Sequence, residues 1–132
     1  MNHHSRTTTF FMLMLTAAVL PLASCSDGGS SGSPTAGSCD NAASGMCVEY
    51  TGAGYTALSM QRVCESQKLA FLAGACPIEG RVGSCLVYKG KRNESHYRYY
   101  TGFPGFGIKP KGGVAAAAEE QCTSLKGGWT PS

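Results

Sequence analysis

Residues 39–132 predict a small disulfide-rich α+β domain, in which a short antiparallel sheet carries two helices. Three observations favour this fold class. The stretch holds six of the chain's seven cysteines, two segments place apolar residues at helical spacing, and three short runs are rich in β-branched and aromatic residues. A domain this short buries a limited apolar core, so we expect disulfide bonds to supply much of its stability.

The first 24 residues have the features of an export signal. Arg6 is followed by an uncharged run, Phe10 to Ser24, which is too short to span a bilayer comfortably as a helix. We therefore expect residues 1–24 to be a signal peptide that is removed from the mature protein.

The end of this segment, Leu22-Ala23-Ser24-Cys25, resembles the lipobox of bacterial lipoproteins. The resemblance covers only this processing region. It implies a mature chain that begins at Cys25, with diacylglycerol on the thiol and fatty acids such as palmitate anchoring the protein in a membrane of the cell envelope. In that family, a residue other than aspartate after the cysteine, here Ser26, favours the outer membrane. The alternative is an ordinary signal peptide whose mature chain begins near a cysteine.

A Ser- and Gly-rich stretch, residues 26–38, separates Cys25 from the next cysteine, with Asp27 as its single charge. Such composition is typical of a flexible coil. We therefore expect residues 25–38 to be the lipidated cysteine and a tether that holds the domain clear of the lipid headgroups.

The remaining six cysteines form an even set, which in an exported protein predicts three disulfide bonds. They are Cys39, Cys47, Cys64, Cys76, Cys85 and Cys122. No C-x-x-C pair occurs, whereas zinc and redox sites need closely spaced cysteines, so we expect neither a metal nor a cofactor. Fifteen connectivities are open. The short loop that joins them favours a bond between Cys64 and Cys76.

Two segments have helical periodicity. The first predicted helix spans residues 57–68, with Thr56 as its N-cap. The second spans residues 114–126, and we expect Gly127 to end it in the left-handed conformation. Both contain the pattern C-x-S-x-K, with an aromatic residue seven positions after the cysteine, which indicates either a duplicated unit or chance.

Three runs predict strands: Met46 to Thr51, Ser84 to Lys89 and His96 to Thr101. The last two flank a turn, GKRNES, and therefore predict a hairpin.

The sequence carries no signature of a common enzyme: G-x-S-x-G, H-E-x-x-H, Walker A and the Rossmann fingerprint are all missing. Glu119 and Glu120 are neighbours on a predicted helix and point about 100° apart, which is poor geometry for an acid and base pair. His96 has no partner at ligand spacing. We therefore predict no catalytic residues and no enzymatic activity.

The segment from Lys89 to Lys111 combines basic and aromatic residues. The candidates for binding an anionic ligand are Lys89, Lys91, Arg92, Arg98, Tyr100, Lys109 and Lys111. This mixture suits phosphate-bearing lipid headgroups or an acidic polysaccharide, and nucleic acid less well, because the chain's formal net charge is only +3. The alternative is a hairpin in which Tyr97 and Tyr99 face the core while Arg98 and the loop lysines are merely solvated.

The layout of export signal, tether and cysteines resembles the small cysteine-rich lipoproteins of Gram-negative bacteria, a resemblance that implies no activity. We expect a lipid-anchored envelope protein that acts as a non-enzymatic binding or structural module. Its partners would be the membrane, through the anchor, and an anionic envelope component or a partner protein. The alternatives are an inhibitor of an envelope enzyme that presents the loop GFPGFGIKPKGG or, with less support, a small hydrolase.

Overall fold

A computed structural model describes residues 34–105 and 111–132 of the chain. The strands are β1 (Gly37–Asn41), β2 (Met46–Tyr50), β3 (Ala70–Leu72), β4 (Arg81–Val87), β5 (Ser95–Tyr100) and β6 (Gly128–Pro131), and the helices are α1 (Ala57–Ser66) and α2 (Gly113–Ser124). All strand pairs are antiparallel and form one sheet in the order β3-β1-β2-β5-β4-β6. The predicted α+β class is confirmed. The predicted signal peptide and Cys25 lie outside the described residues.

The domain begins earlier than the sequence predicts. β1 starts at Gly37, and the hydroxyl of the fully buried Ser38 donates a hydrogen bond to the carbonyl of Gly74 at 2.7 Å. The assignment of residues 34–38 to the tether is therefore wrong, because the Ala36 N–H bonds to the Tyr50 carbonyl and Gly37 and Ser38 are buried in β1, which lies between β3 and β2. The rest of the predicted tether lies outside the described residues.

Helix α1 begins as predicted. The hydroxyl of Thr56 accepts a hydrogen bond from the Ser59 N–H at 3.2 Å, and the Ser59 hydroxyl accepts one from the Thr56 N–H at 3.0 Å. This reciprocal arrangement is a capping box, which satisfies two backbone donors at the helix start. The helix then buries Met60 and Cys64 against the sheet.

Two residues after the end of each helix, a lysine adopts the left-handed conformation. Lys68 has φ 59° and Lys126 has φ 56°. In each case the N–H of the residue after the lysine donates a hydrogen bond to the carbonyl of the cysteine in the helix. Leu69 donates to Cys64 and Gly127 donates to Cys122, both at 2.9 Å. These are Schellman motifs.

The predicted role of Gly127 is therefore wrong, because the left-handed residue is Lys126. Gly127 is required for a different reason. A Cβ at this position would overlap the sulfur atoms of Cys85 and Cys122, so only glycine lets the backbone pass over that disulfide.

The three disulfide bonds join Cys39 to Cys64, Cys47 to Cys76, and Cys85 to Cys122. The predicted bond between Cys64 and Cys76 is wrong, and the sheet explains why. Cys39 lies opposite Val48, so the next residue along β2, Cys47, points to the other face. Cys64 reaches Cys39 from the helix face, whereas Cys76 belongs to a loop on the opposite face.

The chain folds as two copies of one unit, β1-β2-α1-β3 and β4-β5-α2-β6. In each copy the helix cysteine bonds to the first strand, at Cys39 or Cys85. The last strand then places its aromatic residue opposite that cysteine, with Phe71 facing Cys39 and Trp129 facing Cys85.

Strands β2 and β5 are the strands that pair between the two copies, and Val48 of β2 lies opposite Tyr97 of β5. One row across all six strands therefore reads Phe71, Cys39, Val48, Tyr97, Cys85 and Trp129. The pattern C-x-S-x-K thus marks a repeated structural unit and is not a chance echo.

Candidate binding surface

The turn between β4 and β5, residues 88–94, is held by its own hydrogen bonds. The carbonyl of Tyr88 accepts from the Lys91 N–H at 2.8 Å. The carboxylate of Glu94 accepts from the Gly90 N–H at 2.6 Å and from the Thr51 hydroxyl at 2.9 Å. These bonds, led by the one from Gly90, lower the pKa of Glu94 because they favour the ionised carboxylate. The only acidic side chain of the turn is thus engaged internally, while its basic side chains point outward.

This turn meets the end of α2 and forms a basic surface. Tyr88, Lys89 and Lys91 line an open groove together with Leu125 and Lys126, and Arg92 is exposed beside Lys91. We call Tyr88, Lys89, Lys91, Arg92, Leu125 and Lys126 the basic end of the domain.

Two large apolar residues are exposed within the basic end. Tyr88 is 60% exposed and Leu125 is 39% exposed. Tyr88 also has φ 53°, a conformation that costs a residue with a Cβ about 1–2 kcal/mol. This strained backbone directs an aromatic ring to solvent beside the lysines.

The first copy of the repeat lacks such a surface. Its equivalent turn, between β1 and β2, consists of Ala42, Ala43, Ser44 and Gly45 and carries no charge. The second turn, residues 88–94, is longer as well as charged, so its length and its charges are particular to the second copy.

The predicted anion-binding residues divide into four groups, of which the last, Arg98 and Tyr100, makes structural contacts. Lys89, Lys91 and Arg92 come together at the basic end, as predicted for neighbours in a hairpin turn. Lys111 is exposed just before the start of α2, away from the end of that helix. Lys109 lies outside the described residues.

Arg98 belongs to a buried ion pair. Its guanidinium contacts the carboxylate of Glu49, whose side chain is 5% exposed, and Arg98 itself is 17% exposed. Glu49 also accepts the Cys76 N–H at 3.0 Å. Arg98 is therefore neither the solvated side chain nor the ligand-binding one that the sequence suggested.

Tyr100 has a comparable structural role. Its hydroxyl donates to the carbonyl of Pro77 at 2.7 Å, and Arg81 donates to the same carbonyl at 2.9 Å. Together with the bond between Cys47 and Cys76, these contacts fasten the loop after β3 to the sheet. The placement of Tyr100 in an anion site is therefore not supported by its position.

His96 lies beside this ion pair, on the sheet face opposite the helices. Its Nε2 is 3.9 Å from a carboxylate oxygen of Glu94, and its strand partner is Glu49. Burial and, to a smaller extent, the charge of Arg98 lower the pKa of His96. Within residues 34–105 and 111–132, no cluster of His, Cys, Asp or Glu has the arrangement of a metal site.

The loop predicted for an inhibitor is anchored in the core at its start. Phe103 is 4% exposed and packs edge-on against the fully buried Tyr99, with ring centroids 4.9 Å apart. Residues 106–110 of this loop lie outside the described residues. Glu119 and Glu120 are exposed on α2, as expected for solvated helix surface.

Three residues of the basic end were not among the predicted binding residues: Tyr88, Leu125 and Lys126. Tyr88 was assigned to a strand, but its left-handed φ ends β4 at Val87. The sequence predicts Lys126 as the last residue of the second helix and as part of the repeated pattern, not as a binding residue. Its position beside the turn depends on the pairing of β6 with β4, which no local signal reveals.

Comparisons of the chain with protein-family models, with curated proteins and with solved structures found no match. Neither α1 nor α2 in the described part of the chain has the length and apolar character of a membrane-spanning helix.

Proposed function

We propose that this chain is an exported protein that is anchored by lipid in the cell envelope, at the outer membrane. We also propose that its domain is a non-enzymatic binding module. The observation that carries the proposal is the complete pairing of the six domain cysteines. This pairing leaves Cys25 without a disulfide partner in the domain, as a lipidated cysteine requires. Disulfide bonds in a domain of this size are typical of exported proteins.

The basic end supports the binding role. Tyr88, Lys89 and Lys91 are exposed on a turn whose shorter counterpart in the first copy carries no charge, and Lys126 is exposed beside them. Such a surface suits a phosphate-bearing or otherwise anionic component of the envelope.

The anchor is tested by the intact mass of the protein from the membrane fraction, alkylated with and without prior reduction. We expect a diacylglycerol adduct on Cys25 and alkylation of the domain only after reduction. Free domain thiols before reduction would bring back redox or metal chemistry, and an unmodified Cys25 would make the protein a secreted one.

The binding role is tested by charge reversal with a matched control. The turn variant carries Lys89→Glu, Lys91→Glu and Lys126→Glu, and the control variant carries Arg62→Glu, Lys68→Glu and Lys111→Glu. All six side chains are exposed, and both variants change the net charge equally. We expect only the turn variant to lose retention on immobilised outer-membrane lipid and polysaccharide. Equal retention of both variants would contradict a binding role for the basic end. Arg98 is left intact because its reversal would break the pair with Glu49.

A further inference from the structure

The chain enters the domain at the same end of the sheet as the basic turn. Gly37, at the start of β1, lies opposite Tyr50, which lies opposite Ser95, which in turn lies opposite Val87. This row therefore joins the first residue of the sheet to the two residues that flank the turn 88–94. The opposite end of the sheet carries the uncharged turn of the first copy, between Asn41 and Met46.

The loop after β2 connects these two features directly. Gly52 and Gly54 donate N–H groups to the carbonyls of Glu94 and Arg92, at 2.9 and 2.7 Å. A Cβ on Gly52 would overlap the Arg92 carbonyl, so the two loops approach as closely as backbones can. The other side of the same loop borders Pro34, the first described residue.

We infer that the partner of the basic end is the bilayer surface itself: anionic phospholipid headgroups of the membrane that holds the anchor. This inference rests on the lipid anchor proposed above. Only residues 26–33 separate Cys25 from Pro34, so the two can be at most about 30 Å apart even in a fully extended chain. The anchored chain therefore attaches to the domain at the end that carries the basic turn and keeps this end within reach of the headgroups.

The chemistry of the basic end fits this occupant. Lysines attract anionic headgroups, and a tyrosine is favoured at the boundary between water and acyl chains because its ring is apolar and its hydroxyl polar. Tyr88 and Leu125 supply exposed apolar surface among Lys89, Lys91 and Lys126. Because the anchor raises the effective concentration of the surface, weak binding suffices to orient the domain.

The repeat provides an internal comparison. Lys68 is the counterpart of Lys126, with the same backbone conformation and an exposed side chain. However, Lys68 lies two residues before Ala70, which pairs with Asp40 near the uncharged turn. Lys126 lies two residues before Gly128, which pairs with Leu86 near the basic turn. These two lysines therefore lie at opposite ends of the sheet.

The experiment uses the exported full chain with Cys25→Ser, which carries no lipid, and measures its sedimentation with vesicles. The vesicles contain phosphatidylcholine alone or with phosphatidylglycerol. We expect partitioning that depends on phosphatidylglycerol and weakens in high salt. The turn variant should lose about fivefold per lysine, or on the order of a hundredfold in total, while the control variant changes little.

Two results would overturn the inference: partitioning that is indifferent to phosphatidylglycerol, or an equal loss in the turn and control variants. Failure of the inference is distinguishable from failure of the proposed function. Charge-dependent retention on polysaccharide without vesicle binding would leave the binding module in place and remove the bilayer as its partner. Far-ultraviolet circular dichroism of both variants shows whether each is folded, so a loss of binding can be assigned to the surface.

Discussion

Lys68 and Lys126 occupy equivalent positions in two copies of one supersecondary unit, each left-handed and each four residues after a cysteine that pins its helix to the sheet. A residue with a Cβ pays a steric cost in this conformation, which glycine does not. Two positions in one domain therefore carry the same local strain.

Glycine at either position should stabilise the domain. We expect Lys68→Gly and Lys126→Gly each to raise the free energy of unfolding by about 0.5–1 kcal/mol, since a glycine at this helix end removes the steric cost. Urea denaturation measures the change, with Lys89→Gly as the exposed control. Stabilisation at only one of the two positions would show that the helix ends are not equivalent.

The sequence predicted the elements with strong local signals. β2 and β5 are rich in aromatic and β-branched residues, and Thr56 is a favourable N-cap, so these features were predicted close to their observed bounds. The run GSCDN of β1 was not, because glycine, aspartate and asparagine are poor strand formers and the strand exists only through its pairing.

The disulfide map and the basic end could not be predicted locally. Which face a cysteine occupies depends on strand register, and register placed Cys39 and Cys47 on opposite faces. The meeting of Lys126 with the turn at Lys89 likewise depends on a contact between β4 and the end of the chain. Such long-range pairing has no signature within a short window.

The disulfide connectivity makes a specific stability prediction. Replacing Cys39 and Cys64 together with alanine removes one bond and should cost about 3–4 kcal/mol, given a sequence separation of 25 residues. Replacing Cys64 and Cys76 together breaks two bonds and should cost roughly twice as much. Thermal unfolding compares the two double variants. A larger loss for the Cys39 and Cys64 variant would instead mean that Cys64 and Cys76 are bonded to each other, because that variant would then break two bonds.

The buried carboxylate of Glu49 should be important for folding. Glu49→Gln leaves Arg98 without its counter-charge in a poorly hydrated position, and we expect a loss of about 3–5 kcal/mol in the free energy of unfolding. Glu65→Gln, on the exposed face of α1, serves as the control and should be nearly neutral. A neutral Glu49→Gln would show that the ion pair contributes nothing net.

Stability should fall in acid in two separate ranges. The pKa of His96 is lowered by burial, so below about pH 6.5 the unfolded chain binds a proton that the folded domain resists, and stability declines. The pKa of Glu94 is lowered by its bond from Gly90, so a further loss follows below about pH 4.3, where the unfolded carboxylate titrates.

Two variants separate these ranges. His96→Asn should flatten the dependence of the free energy of unfolding on pH between about 5 and 7, and Glu94→Gln should flatten it below about 4.5. Urea titrations at each pH supply the measurement. A His96→Asn profile as steep as that of the unchanged protein would assign the upper range to another group.

The orientation of the anchored domain is tested most directly by acetylation of lysines in the native membrane fraction, read by peptide mass spectrometry. The pair Lys68 and Lys126 is compared in membranes and after extraction into detergent. If the basic end rests on the bilayer, Lys126 is acetylated several times more slowly in membranes than in detergent, while Lys68 reacts equally in both. Equal reactivity of Lys126 in the two conditions would contradict the account.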